Sequence, residues 1–189
     1  MSAPLEVPRL SVGERFVLRA WELTDLPLVE EASRDEYIPL ISTVPSPYSR
    51  VAGEAFVRRQ WGRVSAGSGY PFVIARAEDQ HPVGAIGLWL RDLDEGRAWI
   101  GYWLAPSGRG HGAATESLRV VARWAVEDLH IPRLQLCVEP WNVASQRTAE
   151  RAGFQREGLL RGWQQVGAER RDMLLYAMLD VDLPPAEAG

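Results

Sequence analysis

Three strand-like runs follow one another almost without interruption, at residues 70–76, 82–91 and 97–104. Short turn signals, Gln80-His81-Pro82 and Asp94-Glu95-Gly96, divide them. Connections this short join antiparallel neighbours, because a parallel pair needs a long crossover. After the third run the pattern changes. Leu118, Val121, Ala122, Ala125 and Leu129 recur at the 3–4 spacing of an amphipathic helix over about 112–129, and Pro132 stops it. Leu134, Leu136 and Val138 form another strand. A short helix over 144–152 is closed by Gly153. Two last strands, 154–165 and 170–179, flank a turn at Gly167. A meander followed by alternation gives an α/β (α+β) fold: a mixed, mostly antiparallel sheet with helices on both faces.

Upstream of the meander, Phe16, Leu18 and Ala20 alternate with Arg15, Val17 and Arg19 as a first strand, which brings the sheet to about seven strands. Thr24 or Asp25 is placed to cap a helix carrying Leu26, Leu28, Val29 and Ala32, with Pro27 in its first turn. Pro39, Pro45 and Pro47 break up an irregular stretch. A second helix runs over about 51–64. The chain of 189 residues fits one domain, expected over residues 9–183, with flexible ends at 1–8 and 184–189.

Composition removes several functions. With 21 Lys and Arg against 25 Asp and Glu, the formal charge is -4, which argues against nucleic acid or an anionic membrane as main partner. No apolar run approaches a membrane span, and the start of the chain does not read as a signal peptide. Cys137 is the single cysteine, so a reducing, cytoplasmic setting is expected. His81, His111 and His130 lack metal-ligand spacing, and no metal is expected.

The site signal is a glycine-rich turn between the third meander strand and the long helix. Gly108, Gly110 and Gly112 let a ligand approach the backbone. The first N–H groups of the helix lack intrahelical partners and, with the macrodipole, attract an anion. Arg109 adds a fork of donors suited to phosphate. The turn also matches the dinucleotide fingerprint G-x-G-x-x-A. That fingerprint opens a parallel βαβ unit, whereas a meander precedes this turn, and Glu127 or Asp128 would be the expected acid while still in the helix. No Lys-Ser/Thr pair follows the glycines, so it is not a P-loop.

Ile100-Gly101-Tyr102-Trp103-Leu104-Ala105-Pro106, followed by Arg109-Gly110-His111-Gly112-Ala113-Ala114-Thr115-Glu116, resembles the acetyl-coenzyme A signature of the GCN5-related N-acetyltransferases. Arg109, Gly112 and Ala114 fill the fixed places of its Gln/Arg-x-x-Gly-x-Gly/Ala core. Asn142-Val143-Ala144-Ser145, with Glu150-Arg151-Ala152-Gly153-Phe154, is similar to a second segment of the ribosomal-protein N-terminal acetyltransferase branch, the RimJ/RimL type.

The resemblance implies an acetyl-CoA-dependent N-acetyltransferase. Its strand ending at Leu104, the fourth, would splay from the fifth, ending at Val138, to seat CoA. The backbone of Trp103 and Leu104 would hold the pantetheine and polarise the thioester. Arg109 and the amides of Gly110, His111, Gly112, Ala113, Ala114 and Thr115 would hold the pyrophosphate, with the side chain of His111 in solvent. Asn142 would bind the pantetheine amides or cap a helix. Ser145 would lie near the thiolate as acid or hydrogen-bond donor, unless it is only a polar residue of a first helical turn. Trp99 occupies the place where related proteins often carry a catalytic Glu. Glu139 is the substitute base, if it is more than a solvated edge carboxylate. With no obvious base, a low-pKa amine is the favoured acceptor: an α-amine titrates near 7.7–8.0, a lysine near 10.4. The acceptor, a protein N-terminus or a small-molecule amine, would meet a wall formed by residues 37–48 and 164–169, lined by some of Trp61, Trp89, Trp99, Trp103 and Trp163. Two other readings stand beside this one: a non-catalytic CoA-binding module and a dinucleotide-dependent oxidoreductase. Dimers are common in the family, so a homodimer is possible.

Overall fold

A computed structural model describes residues 6–183. One sheet of eight strands runs in the order β1-β2-β3-β4-β5-β6-β8-β7. The strands are β1 (Leu10–Val12), β2 (Phe16–Arg19), β3 (Gly69–Arg76), β4 (Pro82–Trp89), β5 (Arg97–Leu104), β6 (Arg133–Val138), β7 (Gln155–Val166) and β8 (Glu169–Leu179). The helices are α1 (Leu26–Ser33), α2 (Ile38–Ile41), α3 (Arg50–Ser65), α4 (Ala113–Glu127) and α5 (Val143–Arg151). Every strand pair is antiparallel except β5 and β6.

The meander forms as its turn signals require. Gly96 adopts φ +70°, a conformation that glycine tolerates and other residues resist. Two elements were missed. Strand β1 has three residues, too few for a readable alternation, and it gains its place by pairing with β2. Helix α2 forms inside the proline-rich stretch, because Asp35 Oδ1 accepts from the N–H groups of Tyr37 (2.8 Å) and Ile38 (2.9 Å). The long helix is shorter than the spacing suggested. It ends at Glu127, several residues before Pro132, although Leu118, Val121, Ala122 and Ala125 are fully buried as expected.

The alternation in β2 does not separate core from solvent. All four of its residues are buried, because helices cover both faces of the sheet. Helices α4 and α5 pack over one core, built around Leu18, Phe72, Leu118, Leu134 and Tyr176. Helices α1, α2 and α3 cover the other, built around Trp21, Val29, Phe56, Val57 and Val73. Arg19 is in β2 yet only 8% exposed. Its guanidinium takes both carboxylate oxygens of Asp25, at 2.7 and 2.9 Å. Asp25 therefore does not cap α1 with its side chain. It sits at the N-cap position with its carboxylate turned inward, where it also accepts the Glu22 N–H at 2.9 Å.

The expected flexible ends fall mostly outside the described residues, at 1–5 and 184–189. Residues 6–8 precede β1 without regular structure, but Val7 packs against the core.

Candidate functional site

The site begins where the sheet comes apart. β5 and β6 pair in parallel through Arg97–Arg133, Ala98–Leu134 and Trp99–Gln135, and no further. Beyond Trp99, β5 continues to Leu104 held only by β4, and β6 continues to Val138 held only by β8. The result is a V between two strands whose outer edges stay bonded. The Ala105 N–H donates to Val83 O at 3.0 Å, which sets the alternation of the β4–β5 ladder. Backbone polar groups of Trp103 then point to β4, while those of Tyr102 and Leu104 point into the V. The expected pantetheine contact of Trp103 is corrected on this ground: its backbone is spent on the sheet, and the free amides belong to its neighbours.

The glycine turn follows at the open end of the V. Gly108 is buried against β4, where an added Cβ would stand 2.5 Å from Val83 O. Gly110 and Gly112 have φ +87° and +80°. A Cβ at Gly110 would meet nothing within 4 Å. The first N–H of α4 to find a backbone acceptor is that of Glu116, onto Gly112 O at 3.1 Å. The amides of residues 110–115 precede it and donate to no acceptor among the described residues. An anion cradle is thus present. Arg109 is exposed and is held by Asp35 Oδ2 (2.6 Å) and by Leu104 O (3.2 Å). His111 is exposed, as expected. Arg15, at the start of β2, pairs with Glu116 beside Gly112, so the carboxylate in the first turn of α4 is neutralised. Nothing in the sequence around Arg15 signalled this.

On the other side of the V lies a cavity of about 480 Å3. The structure brings Glu139, Asn142 and Ser145 together in its wall. Asn142 caps α5, its Oδ1 accepting the Ser145 N–H at 3.1 Å. Glu139 is 3% exposed, not a solvated edge carboxylate. The Tyr37 hydroxyl faces both its carboxylate and the Asn142 amide. Burial, reinforced by that carboxylate, pushes the Tyr37 hydroxyl well above its ordinary pKa. Tyr102 donates to Ser145 O at 3.2 Å, and burial pushes its hydroxyl up to about 12. The signature by itself assigns Tyr102 no role, because its burial against α5 is a tertiary fact.

The acceptor wall is partly as expected. Tyr37, Leu40 and Thr43 line the cavity from one side, and Trp163 and Gln164 from the other. Of the five tryptophans suggested, Trp89, Trp99, Trp103 and Trp163 line it. Trp61 does not: it is 41% exposed, and its Nε1–H donates to Trp21 O at 2.8 Å. Trp21 takes its place, edge-on to Phe56 and 6.4 Å from the Trp103 ring. Trp99 carries no acid to the site. Its Nε1–H donates to Asp92. Cys137 is half-buried in the cavity wall, and desolvation pushes its thiol up to about 11.

The order of elements does not by itself separate this turn from a dinucleotide site. The glycine turn does open a parallel βαβ unit, β5-α4-β6, so the preceding meander is no ground against a dinucleotide. The difference is the V: a dinucleotide crevice lies outside the strand ends, whereas here two adjacent strands separate along their length. Residues 15–155 match the family described as "Acetyltransferase (GNAT) domain".

The chain belongs to the GNAT acetyltransferases.

Among curated relatives, the acetyltransferase is 28% identical over 176 residues to "Probable N-acetyltransferase YjcK" of Bacillus subtilis, covering 90% of this chain and 97% of that one. It is also 28% identical over 87 residues to the "[Ribosomal protein uS5]-alanine N-acetyltransferase" of Escherichia coli, covering 46% of this chain and 45% of the relative. Its fold matches Mycobacterium smegmatis RimJ in complex with CoA-disulfide at a TM-score of 0.76 and 25% identity, covering 89% of this chain and 84% of that one. The acetyltransferase is accordingly an acetyl-CoA-dependent acyltransferase with a mixed α/β GNAT fold. Among the described residues no three His, Cys, Asp or Glu side chains gather as a metal site, and no helix is long and apolar enough to cross a membrane.

Proposed function

We propose that the acetyltransferase moves the acetyl group of acetyl-CoA to a primary α-amine by direct attack on the thioester. The observation that carries this reading is the V after Trp99 and Gln135, with the anion cradle at one end and the Ser145 cavity beside it. A CoA lying in the V has its pyrophosphate on the amides of residues 110–115, next to Arg109. Its pantetheine runs along Tyr102 and Leu104, facing Asn142.

The amine nitrogen attacks the thioester carbonyl carbon, and a C–N bond forms. A backbone N–H aimed at the developing oxyanion lowers that barrier, and an inward-facing amide of β5 would supply it. The C–S bond then breaks. Ser145 gives a proton to the leaving thiolate and takes in exchange the second proton that the attacking nitrogen sheds, with Tyr102 beside it still protonated at neutral pH. Glu139, buried at the cavity wall, receives the proton of the incoming ammonium, directly or through water. An α-amine asks little of such a base, since about one in ten is already neutral at pH 7. The relative that acts on an alanine of a ribosomal protein supports an α-amine.

The test is a thiol-release assay on peptides with free N-termini, N-acetylated peptides carrying one lysine, polyamines and aminoglycosides. Turnover is expected on the free N-termini and at most weakly on the rest. Tight acetyl-CoA binding without release on any amine would instead make the protein a non-catalytic CoA-binding module.

A further inference from the structure

The cavity has a positive end that the protein itself does not neutralise. Arg63, in the last turn of α3, lies over the Trp89 ring, its guanidinium carbon 4.8 Å from the centroid. Arg91, just after β4, lies over the Trp99 ring at 4.7 Å. Trp89 and Trp99 are register partners on β4 and β5. The two cations are therefore stacked on indoles of neighbouring strands, at the narrow end of the V, where Trp99 still pairs with Gln135. Room for the Trp89 indole comes from Gly87, where an added Cβ would stand 2.2 Å from the ring.

Among the described residues neither guanidinium has an acidic partner. Arg63 donates to Gln60 Oε1 at 2.8 Å. Its pKa is lowered by burial and by the charge of Arg59, so its surroundings add no compensating anion. The acids nearest Arg91 are engaged elsewhere. Asp92 accepts from Trp99 and faces Arg97 at 3.6 Å, and Glu95 holds Arg97 at 2.5 Å. Glu139 is the one carboxylate among the lining residues. It lies four residues beyond Gln135 along β6, roughly 13 Å away by the rise of a strand.

We infer that the acceptor amine carries an oxyanion, a carboxylate or a phosphate, which seats on Arg63 and Arg91. This rests on the reading of the cavity as the acceptor site. Stacking on an indole fixes the plane of a guanidinium and leaves its N–H edges free for a planar or tetrahedral oxyanion. A partly desolvated site makes such charge-assisted bonds stronger than in water. A polyamine or aminoglycoside would instead bring positive charge against two unpaired cations. The formal charge of -4 over the whole chain points weakly the other way, but the field at the cavity is set by the residues that line it.

The experiment compares peptide amides with free N-termini that differ only in their second residue: aspartate, asparagine or lysine. Glutamate and phosphoserine as free amino acids separate a small-molecule source from a peptide source. The aspartate peptide is expected to show a kcat/KM about tenfold above asparagine, with lysine lowest. Arg91→Gln and Arg63→Gln should each abolish that preference while the KM for acetyl-CoA stays put, and Arg91→Glu should favour lysine. Equal turnover of the aspartate and asparagine peptides by the wild type overturns the inference and leaves acetyl transfer standing. If no amine is turned over, the acetyl-transfer reading fails, and the anion site is read directly by titrating inorganic phosphate against tryptophan fluorescence. A saturable change that Arg91→Gln removes supports the site; no change in the wild type overturns it.

Discussion

Arg109 and Asp35 join the two halves of the active cleft, their side chains meeting at 2.6 Å. Asp35 starts the loop that carries Tyr37 to the acceptor wall, and one of its oxygens accepts the amides of Tyr37 and Ile38. The other holds the arginine of the glycine turn. Desolvation pushes the Asp35 carboxyl up, but the bonds from Ile38, Tyr37 and Arg109 outweigh it and lower its pKa. The carboxylate stays charged across the working range, and the link does not switch near neutral pH.

Asp35→Ala should therefore affect both substrates. It frees Arg109 and removes the amide acceptor at the start of α2. The KM for acetyl-CoA and that for the amine are each expected to rise several-fold. Arg109→Ala should raise mainly the acetyl-CoA KM. The pair is half in solvent, so its coupling in a double-mutant cycle should be about 1 kcal/mol or less.

Gly108 and Gly110 should respond differently to alanine. At Gly108 the new Cβ would collide with Val83 O, so Gly108→Ala should lower thermal stability. A loss of about 1–2 kcal/mol would move the melting point by about 2–8 °C in a chain of this size. At Gly110 there is open space, but φ is +87° and the methyl group would enter the anion cradle. Gly110→Ala should cost about 1 kcal/mol of backbone strain and raise the acetyl-CoA KM about tenfold, with a smaller effect on kcat.

The Cys137 thiol should react sluggishly in the native protein. With its pKa pushed up to about 11, about one thiol in a thousand is ionised at pH 8. Reaction with a disulfide reagent should be roughly a hundredfold slower than for a free thiol, which titrates near 8.5. Between pH 8 and 10 the native rate should climb about tenfold per unit, where a free thiol levels off near pH 9. Because the folded pKa lies above the unfolded one, stability is unaffected below the unfolded value and falls as pH rises through the window up to about 11. A fast reaction at pH 8 in protein shown to be folded would contradict the burial of this thiol.

Asp25→Ala is the severe change. The Arg19 side chain is 10% exposed and that of Asp25 1%. Removing the carboxylate strands a buried guanidinium, at about 3–5 kcal/mol. Arg19→Met with Asp25→Leu should recover much of the loss, since apolar groups of similar volume leave no charge unpaired. Chemical denaturation of the wild type and the two variants measures both the loss and the recovery.

Some of this was legible in the chain by itself. Short turns forced the β3-β4-β5 meander, and the 3–4 spacing of Leu118, Val121, Ala122 and Ala125 placed the buried face of α4. Glycines with nothing but a helix start behind them marked the anion cradle. These are local effects, and neighbouring residues suffice to specify them. The rest depended on which distant segments meet. Pairing between β5 and β6 stops at Trp99, while β5 goes on with β4 to Leu104 and β6 with β8 to Val138, a divergence that no local spacing encodes. Glu139 is buried rather than solvated, and its carboxylate meets the hydroxyl of Tyr37, about a hundred positions earlier in the chain. Arg63 and Arg91 line the same cavity because each stacks on one of two tryptophans, Trp89 and Trp99, that are in register across β4 and β5. The sequence determined the cradle and the order of the elements; tertiary packing decided the opening of the V, the burial of its carboxylate and the charge of its far end, because desolvation and ion pairing depend on neighbours in space.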